Sequence, residues 1–177
     1  DEKLNLHTQA KSSIAHHRYL YAELEKLLAK YKEQEKKKTS TISALHDIAE
    51  LTHKRSLILI FSDMLDNPEN SEELFNALQH LKYNKHEVII FHLLDYKTEM
   101  NFELENRPYT FLDMETGEKI KLMPNAIKEK YTKQVQAYFK KIQDKSLAYK
   151  IDFVPIDINE NLNDIFVKYL KKRKMMR

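Results

Sequence analysis

Apolar residues recur along the chain at two spacings, and the spacing distinguishes predicted helices from predicted strands. Apolar positions every three or four residues are typical of an amphipathic helix with one buried side. This spacing predicts a helix over roughly 13–36, a second from Ile42 to Thr52, a third that begins near Pro68 and includes Leu81, a long helix after Asn125, and a last helix capped by Asn159 or Asn161.

Short, continuous apolar runs predict strands instead. They lie near 56–62 and at 87–94, and a last strand is predicted from Ile151 to Pro155. A continuous run is typical of a strand that is covered on both faces, as in a parallel sheet with helices on either side. Leu4 and Leu6 alternate with polar residues, which predicts a further half-buried strand over 3–8.

The order of these elements predicts the fold class. Helices alternate with apolar strands through short connections, which favours parallel βαβ units. The pattern changes at 109–114 and 118–123, which flank the single glycine, Gly117, and predict a β-hairpin with positive φ at that glycine. We therefore expect an α/β fold: three layers, a mostly parallel sheet with helices on both faces, and an inserted hairpin near 109–123.

Composition narrows the function classes. A single glycine in 177 residues excludes a glycine-rich phosphate loop, and the absence of cysteine excludes disulfides and thiolate chemistry. The lack of cysteine also fits a cytoplasmic, reducing setting. No apolar run approaches the ~18 residues that cross a bilayer. A net charge of +3 gives no argument for nucleic-acid binding.

Each predicted parallel strand runs into an aspartate, namely Asp63, Asp95 and Asp157. Open α/β sheets bind ligands at the carboxyl ends of their strands, so these acids are expected to share one rim. Carboxylates with a nearby hydroxyl suit a hard cation such as Mg²⁺, and Thr39 or Thr41 in the loop before the second helix could supply that hydroxyl.

A purely structural role for these acids is an equally concrete alternative. Asp66 and Asn67 stand where the next helix needs its cap, and Asp95 and Asp157 suit turns. Asp63 precedes that cap and ends the buried run directly, so both roles remain open for it.

The histidines give weaker signals. His80 and His86 lie at a helix end and a strand start, which favours surface positions, whereas His92 lies within a strand and is expected to be packed. Ser62 lacks the glycines of a nucleophile elbow.

Six segments, in order and across essentially the whole chain, resemble the bacterial family catalogued as domain of unknown function 58. They are LHDIAE (45–50), RSLILIFSDMLDNPE (55–69), ALQHL (77–81), HEVIIFHLLD (86–95), FLDMETGE (111–118) and IDFV (151–154). That family is similar to von Willebrand factor A domains, many of which hold a divalent cation at a metal-ion-dependent adhesion site. The resemblance implies that Asp63 and either Thr39 or Thr41 are metal ligands, with Ser62, Asp66 and Asp95 around the rim.

One part of the family pattern is missing. The Asp-x-Ser-x-Ser motif of such sites does not occur in a strand-to-helix context, and the sequence starts with Asp1. We therefore expect residues 1–177 to be a single domain that is the C-terminal portion of the fold and lacks its first strand or strands. Mg²⁺ or Mn²⁺ is then expected in the complete domain and not in this chain alone. The strand at 57–61 would lose its neighbour, which predicts self-association or a repaired strand pairing there.

The resemblance implies a non-enzymatic protein-interaction module that works with a MoxR-type AAA+ ATPase, because relatives are commonly encoded beside such ATPases. The rival interpretation is a Mg²⁺- or Mn²⁺-dependent hydrolase or nuclease that uses Asp63, Asp66, Asp95 and Asp157. A third interpretation is a structural fragment whose acids only cap helices.

Overall fold

A computed structural model describes residues 8, 11–31, 41–53, 55–64, 71–112 and 117–175. The predicted strand over 3–8 and the predicted helix start at Pro68 lie outside these residues. The helices are α1 (Ile14–Tyr31), α2 (Thr41–Leu51), α3 (Ser71–Tyr83), α4 (Pro124–Ala148) and α5 (Leu162–Met175). The strands are β1 (Leu57–Ser62), β2 (Glu87–Leu94), β3 (Tyr109–Leu112), β4 (Lys119–Leu122) and β5 (Asp152–Asp157).

The main sheet is parallel, three-stranded and ordered β1-β2-β5. Ser62 of β1 lies opposite His92, and Leu94 lies opposite Asp157 of β5. Helices cover both faces, so the α/β fold class is confirmed. None of the helices in the described ranges is long and apolar enough to cross a lipid bilayer.

Alternate residues of β2 point into two separate cores. Val88 and Ile90 join the larger core, with buried side chains of β1, α2, α3 and α4. Ile89 and Phe91 join the smaller core, with Ile156 and residues of α5. The central strand is therefore buried on both faces, which explains its continuous apolar run.

The same expectation is wrong for β1. Ile58 and Ile60 are buried, but Leu57, Leu59 and Phe61 are 51%, 49% and 50% exposed. The physical reason is its position at the edge of the sheet. The Phe61 ring on this face lies edge-on to Phe166 of α5, with 6.5 Å between centroids.

The hairpin is confirmed as an antiparallel pair of β3 and β4, with Thr110 opposite Lys121. Gly117 has φ +75°, the conformation that its position in the turn predicts. The final helix is capped by Asn161, whose side-chain oxygen accepts a hydrogen bond from the Asn163 amide at 2.9 Å.

Helix α1 has the predicted amphipathic sequence, but its apolar side is exposed. The exposed side chains include Tyr21, Leu24 and Leu28.

Candidate functional site

The carboxyl ends of β1, β2 and β5 form one rim of the sheet, and the three predicted aspartates lie on it. Asp63 directly follows β1, Asp95 directly follows β2, and Asp157 ends β5. The strand register places Asp63 level with Leu93, two residues short of Asp95, or about 7 Å along the strand axis. Asp157 lies level with Leu94, so it is one residue from the level of Asp95.

The turn after β1 is held by hydrogen bonds to its backbone. Ser62 Oγ accepts from the Met64 amide at 3.0 Å. The Asp63 carbonyl accepts from His92 Nε2 at 2.9 Å, and the Met64 carbonyl accepts from the Tyr138 hydroxyl at 2.9 Å. Met64 is fully buried at φ 52°, a left-handed conformation that is unusual for a bulky residue. The backbone is thus fixed while the Asp63 side chain is exposed.

His92 is packed, as predicted, and its environment keeps it neutral. Its ring lies edge-on to Phe139 at 4.5 Å and tilted against Phe153 at 5.1 Å between centroids. Burial lowers the pKa of His92, and the hydrogen bond to the Asp63 carbonyl opposes this effect only in part. Because a carbonyl only accepts, Nε2 must carry the proton of the neutral ring.

Asp95 caps a turn of π-helix, Tyr96–Met100, which sequence periodicity did not predict. Its Oδ1 accepts from the amides of Lys97 at 3.0 Å and Thr98 at 3.3 Å. Hydrogen bonds from Thr98, Lys97 and Asn159 lower the pKa of the Asp95 carboxyl, Thr98 having the largest effect. The purely structural role, in which the carboxylate caps a turn, therefore explains Asp95.

Asn159 links two of the rim acids. Its side-chain amide donates to Asp157 Oδ1 at 3.0 Å and to Asp95 Oδ1 at 3.3 Å. The Asn159 backbone amide also donates to Asp157 Oδ1 at 3.0 Å. Of the two predicted caps for the last helix, Asn159 instead serves the rim.

The remaining predicted ligands are only partly within the described residues. Thr41 begins α2, but its side chain lies outside the described part, as do Thr39 and Asp66. Among the residues that the structure describes, no three His, Cys, Asp or Glu side chains converge on a possible metal position. The adhesion-type metal site and the rival nuclease site both stay predictions.

A family model described as protein of unknown function DUF58 matches residues 2–141. The chain belongs to this family. Neither a curated protein nor a solved structure matches the chain. The family match ends within α4, so the last strand and helix of this DUF58 chain, which complete the smaller core, follow the matched segment.

The expected surface position of His86 in the DUF58 chain is wrong, because His86 is 1% exposed. Its Nδ1 accepts from the Ser56 amide at 3.2 Å. Its Nε2 is buried without a partner in the described part of the chain. Burial lowers the pKa of His86, so a neutral ring sits beneath the start of β1.

His80 is half-buried, not a plain surface residue, and contacts His46 of α2. Sequence reasoning missed this pair because its members lie 34 residues apart and neither follows a metal-binding motif. A weak signal was available, since each stands next to a buried leucine of its helix, Leu45 or Leu81.

The outer edge of β1 directs backbone polar groups away from the sheet. The Glu87 amide donates to the Ser56 carbonyl at 2.9 Å. Because backbone groups point to alternate sides along a strand, Ile58 and Ile60 also face β2. The N–H and C=O groups of Leu57, Leu59 and Phe61 therefore face outward, where no strand of the described residues pairs with them.

The outer edge of β5 is different. The Ile158 amide donates to the Leu94 carbonyl at 2.9 Å, so the alternate position 155 faces outward. Pro155 occupies it and is exposed, and proline has no N–H to offer a further strand. A cavity of about 290 Å³ lies along this edge, lined by Phe153, Val154, Pro155, Glu160, Ile165, Lys168 and Tyr169.

Proposed function

We propose that this chain is a non-enzymatic protein-interaction module that binds through the outer edge of β1, with which no described strand pairs. The observation that carries the proposal is the combination of outward backbone groups with half-exposed Leu57, Leu59 and Phe61 on the same strand. An added strand would satisfy the backbone groups and cover the apolar side chains together, which is the usual basis of binding by strand addition.

The occupant that we propose is a second copy of the chain. An antiparallel pair of β1 strands centred on Leu59 would place Leu57 of one copy opposite Phe61 of the other. The same geometry would bring Arg55 of one copy near Asp63 of the other, and both side chains are exposed. Strand β1 itself carries no charge, so the pair would meet no like-charge repulsion along its length.

The finer proposal concerns the rim. We propose that the fold is of von Willebrand A type, with an adhesion-type site that this chain supplies only in part. Asp63, with Thr39 or Thr41, would hold Mg²⁺ or Mn²⁺ together with ligands from the rest of the site, and the cation would accept a partner carboxylate. The exposed carboxylate on a fixed turn supports this role, and the family resemblance supports a MoxR-type AAA+ ATPase as the partner.

Sedimentation velocity over a concentration series tests the edge proposal. We expect a reversible dimer in the parent chain. Leu59→Lys, which places a charge on the edge, and Leu59→Pro, which removes one outward N–H, should both give monomers. Leu147→Lys is the matched control, because Leu147 is an exposed leucine of α4, and it should leave the dimer intact.

Charge exchange makes the test specific for the antiparallel register. Arg55→Glu and Asp63→Arg should each weaken the dimer, and the double variant should restore it. A parent chain that stays monomeric at every concentration would rule out the second copy as occupant. Dimers that survive Leu59→Lys would place the interface elsewhere.

A further inference from the structure

His46 of α2 and His80 of α3 meet through their ring nitrogens. The two Nδ1 atoms lie 3.2 Å apart, with ring centroids at 5.5 Å and planes inclined by 45°. Both side chains are half-buried, so solvent ions can reach them. Neither residue belongs to the rim or to the edge of β1.

We propose that this pair binds a divalent transition-metal ion such as Zn²⁺ through both Nδ1 atoms. A tetrahedral zinc ion with Zn–N bonds of about 2.0–2.1 Å separates two ligand nitrogens by about 3.3 Å. The observed separation of 3.2 Å therefore needs almost no movement of the two helices. Imidazole suits zinc, copper and nickel, whereas Mg²⁺ prefers oxygen, so this site selects a different ion from the rim.

Binding requires only local changes in the two rings. Without metal, one Nδ1 donates its proton to the other, because a hydrogen bond between two ring nitrogens needs one donor and one acceptor. For metal binding, the donor ring moves that proton to Nε2 through solvent, and both rings then present a lone pair. A ring rotation of about 35° turns each lone pair from its neighbour towards a shared tetrahedral ion.

The two helices are already fixed to each other beside the pair. The Asn84 side chain, one turn after His80, donates to the Ala49 carbonyl of α2 at 2.8 Å. Leu45 and Leu81, the neighbours of the two histidines, are buried in the same core. Such support holds ligands in place before the ion arrives.

Water completes the coordination. Within the described residues no third His, Cys, Asp or Glu side chain converges on the pair. Glu50 is exposed and lies one turn after His46, on the same side of α2. A site with two protein ligands is exchangeable, and its metal would fasten α2 to α3.

Titration of the full chain with Zn²⁺ and with Co²⁺ tests the proposal. We expect one Zn²⁺ per chain by calorimetry, a Co²⁺ absorption band, and a higher melting temperature with Zn²⁺, because the ion binds the folded pair. His46→Gln and His80→Gln should each lose all of these signals. The matched control is the double variant His16→Gln with His17→Gln, which removes the adjacent half-buried and exposed histidines of α1 and should retain all of these signals.

Metal-free melting curves and circular dichroism of each variant check that α2 and α3 still pack. Nitrogen-15 spectra of the parent chain read the site without any substitution, since Zn²⁺ should shift the Nδ1 signals of His46 and His80 selectively. Equal zinc binding in the parent and both single variants would overturn the proposal, as would unchanged imidazole signals at these residues. Binding lost equally in the α1 control would assign the ion to His16 and His17 instead.

Discussion

The outer edges of β5 and β1, the two edge strands of the central sheet, differ in whether their residues discourage pairing with a further strand. The β5 edge carries Pro155 at an outward position, and Tyr169 of α5 donates to Asp152 at its start, 3.1 Å away. The β1 edge has neither proline nor charge, only the sequence LILIFS. Proteins protect the edges that must not pair, because an open edge is a template for another strand. The difference supports our proposal that β1, and not β5, is the edge at which the sheet pairs with a second copy.

The two edge strands also differ in the burial of the residues that hold their ends. Buried histidines of or beside β2 hold β1 at both ends, His86 through the Ser56 amide and His92 through the Asp63 carbonyl. The carboxyl end of β5 is held by the exposed Asn159. Among the described residues no strand pairs with the outer edge of β1, whereas both of its ends are held by hydrogen bonds.

The largest expected effect comes from placing a charge on the buried face of β1, and the exposed face of the same strand provides the comparison. Ile60→Asp should destabilise the fold by about 4 kcal/mol or prevent folding, because it buries an unpaired carboxylate in the larger core. Leu59→Asp should change the free energy of unfolding by less than about 1 kcal/mol, because its side chain is half-exposed. Urea denaturation followed by circular dichroism measures both. Similar losses in the two variants would refute the one-sided burial of this edge strand.

Acid should weaken the hydrogen bonds by which His86 and His92 hold the two ends of β1. The pKa values of His86 and His92 are lowered in the folded protein from 6.5, so the unfolded chain takes up protons first as pH falls. Stability is then full above about pH 6.5 and declines below it, until each folded pKa is reached, by at most about 1.4 kcal/mol per pH unit for each histidine. Denaturation at pH 7.5, 6.5 and 5.5 measures the decline. His92→Gln, which keeps a donor for the Asp63 carbonyl, should make it shallower; an unchanged slope would assign it to other groups.

Removing one tie should have a smaller, local effect. Tyr138→Phe deletes the hydroxyl that donates to the Met64 carbonyl and should cost about 1 kcal/mol. Asn159→Ala at the end of β5 should cost less, because water replaces an exposed hydrogen bond. Tyr83→Phe is the control, since Tyr83 is 82% exposed, and should have no measurable effect. If Asn159→Ala proved the more costly change, the contrast between the two strand ends would be wrong.

The smallest effect is expected from Mg²⁺. If the chain supplies only part of an adhesion-type site, millimolar Mg²⁺ or Mn²⁺ should leave the melting temperature of the parent and of Asp63→Ala unchanged. A rise in the parent that is absent in Asp63→Ala would mean that the rim acids bind a cation without further residues, since such a ligand must stabilise the folded state. That outcome would justify a screen for hydrolase activity.

Local pattern predicted the elements well and their burial less well. The runs in β1 and β2 look alike, yet only β2 is covered on both faces. Burial of a strand depends on what lies beside it, which is a property of topology and not of the run itself. The positive φ of Gly117 could be predicted from the sequence, because glycine is the residue type that adopts positive φ without steric cost.

The site shows the same limit. Sequence placed Asp63 at the end of a strand correctly, but the groups that fix its turn, His92 and Tyr138, come from 29 and 74 residues away. For Asp95 the sequence allowed a cap or a ligand, and only the backbone path of the π-helical turn showed the cap. Contacts between distant segments have no local signature, so the His46–His80 pair had only the weak sequence signal of a leucine beside each histidine.

Because the backbone groups of β1 alternate in direction, its amide hydrogens should exchange with deuterated solvent at two different rates. In a single copy, the amides of Ile58, Ile60 and Ser62 face β2 and exchange only when the sheet opens. Those of Leu57, Leu59 and Phe61 face away from β2, where no strand of the described part of the chain pairs with them, and are expected to exchange fast. One strand thus contains slow and fast protons at every second residue. Whatever binds this edge would turn the fast set slow, one amide in two, and leave the other set as it was.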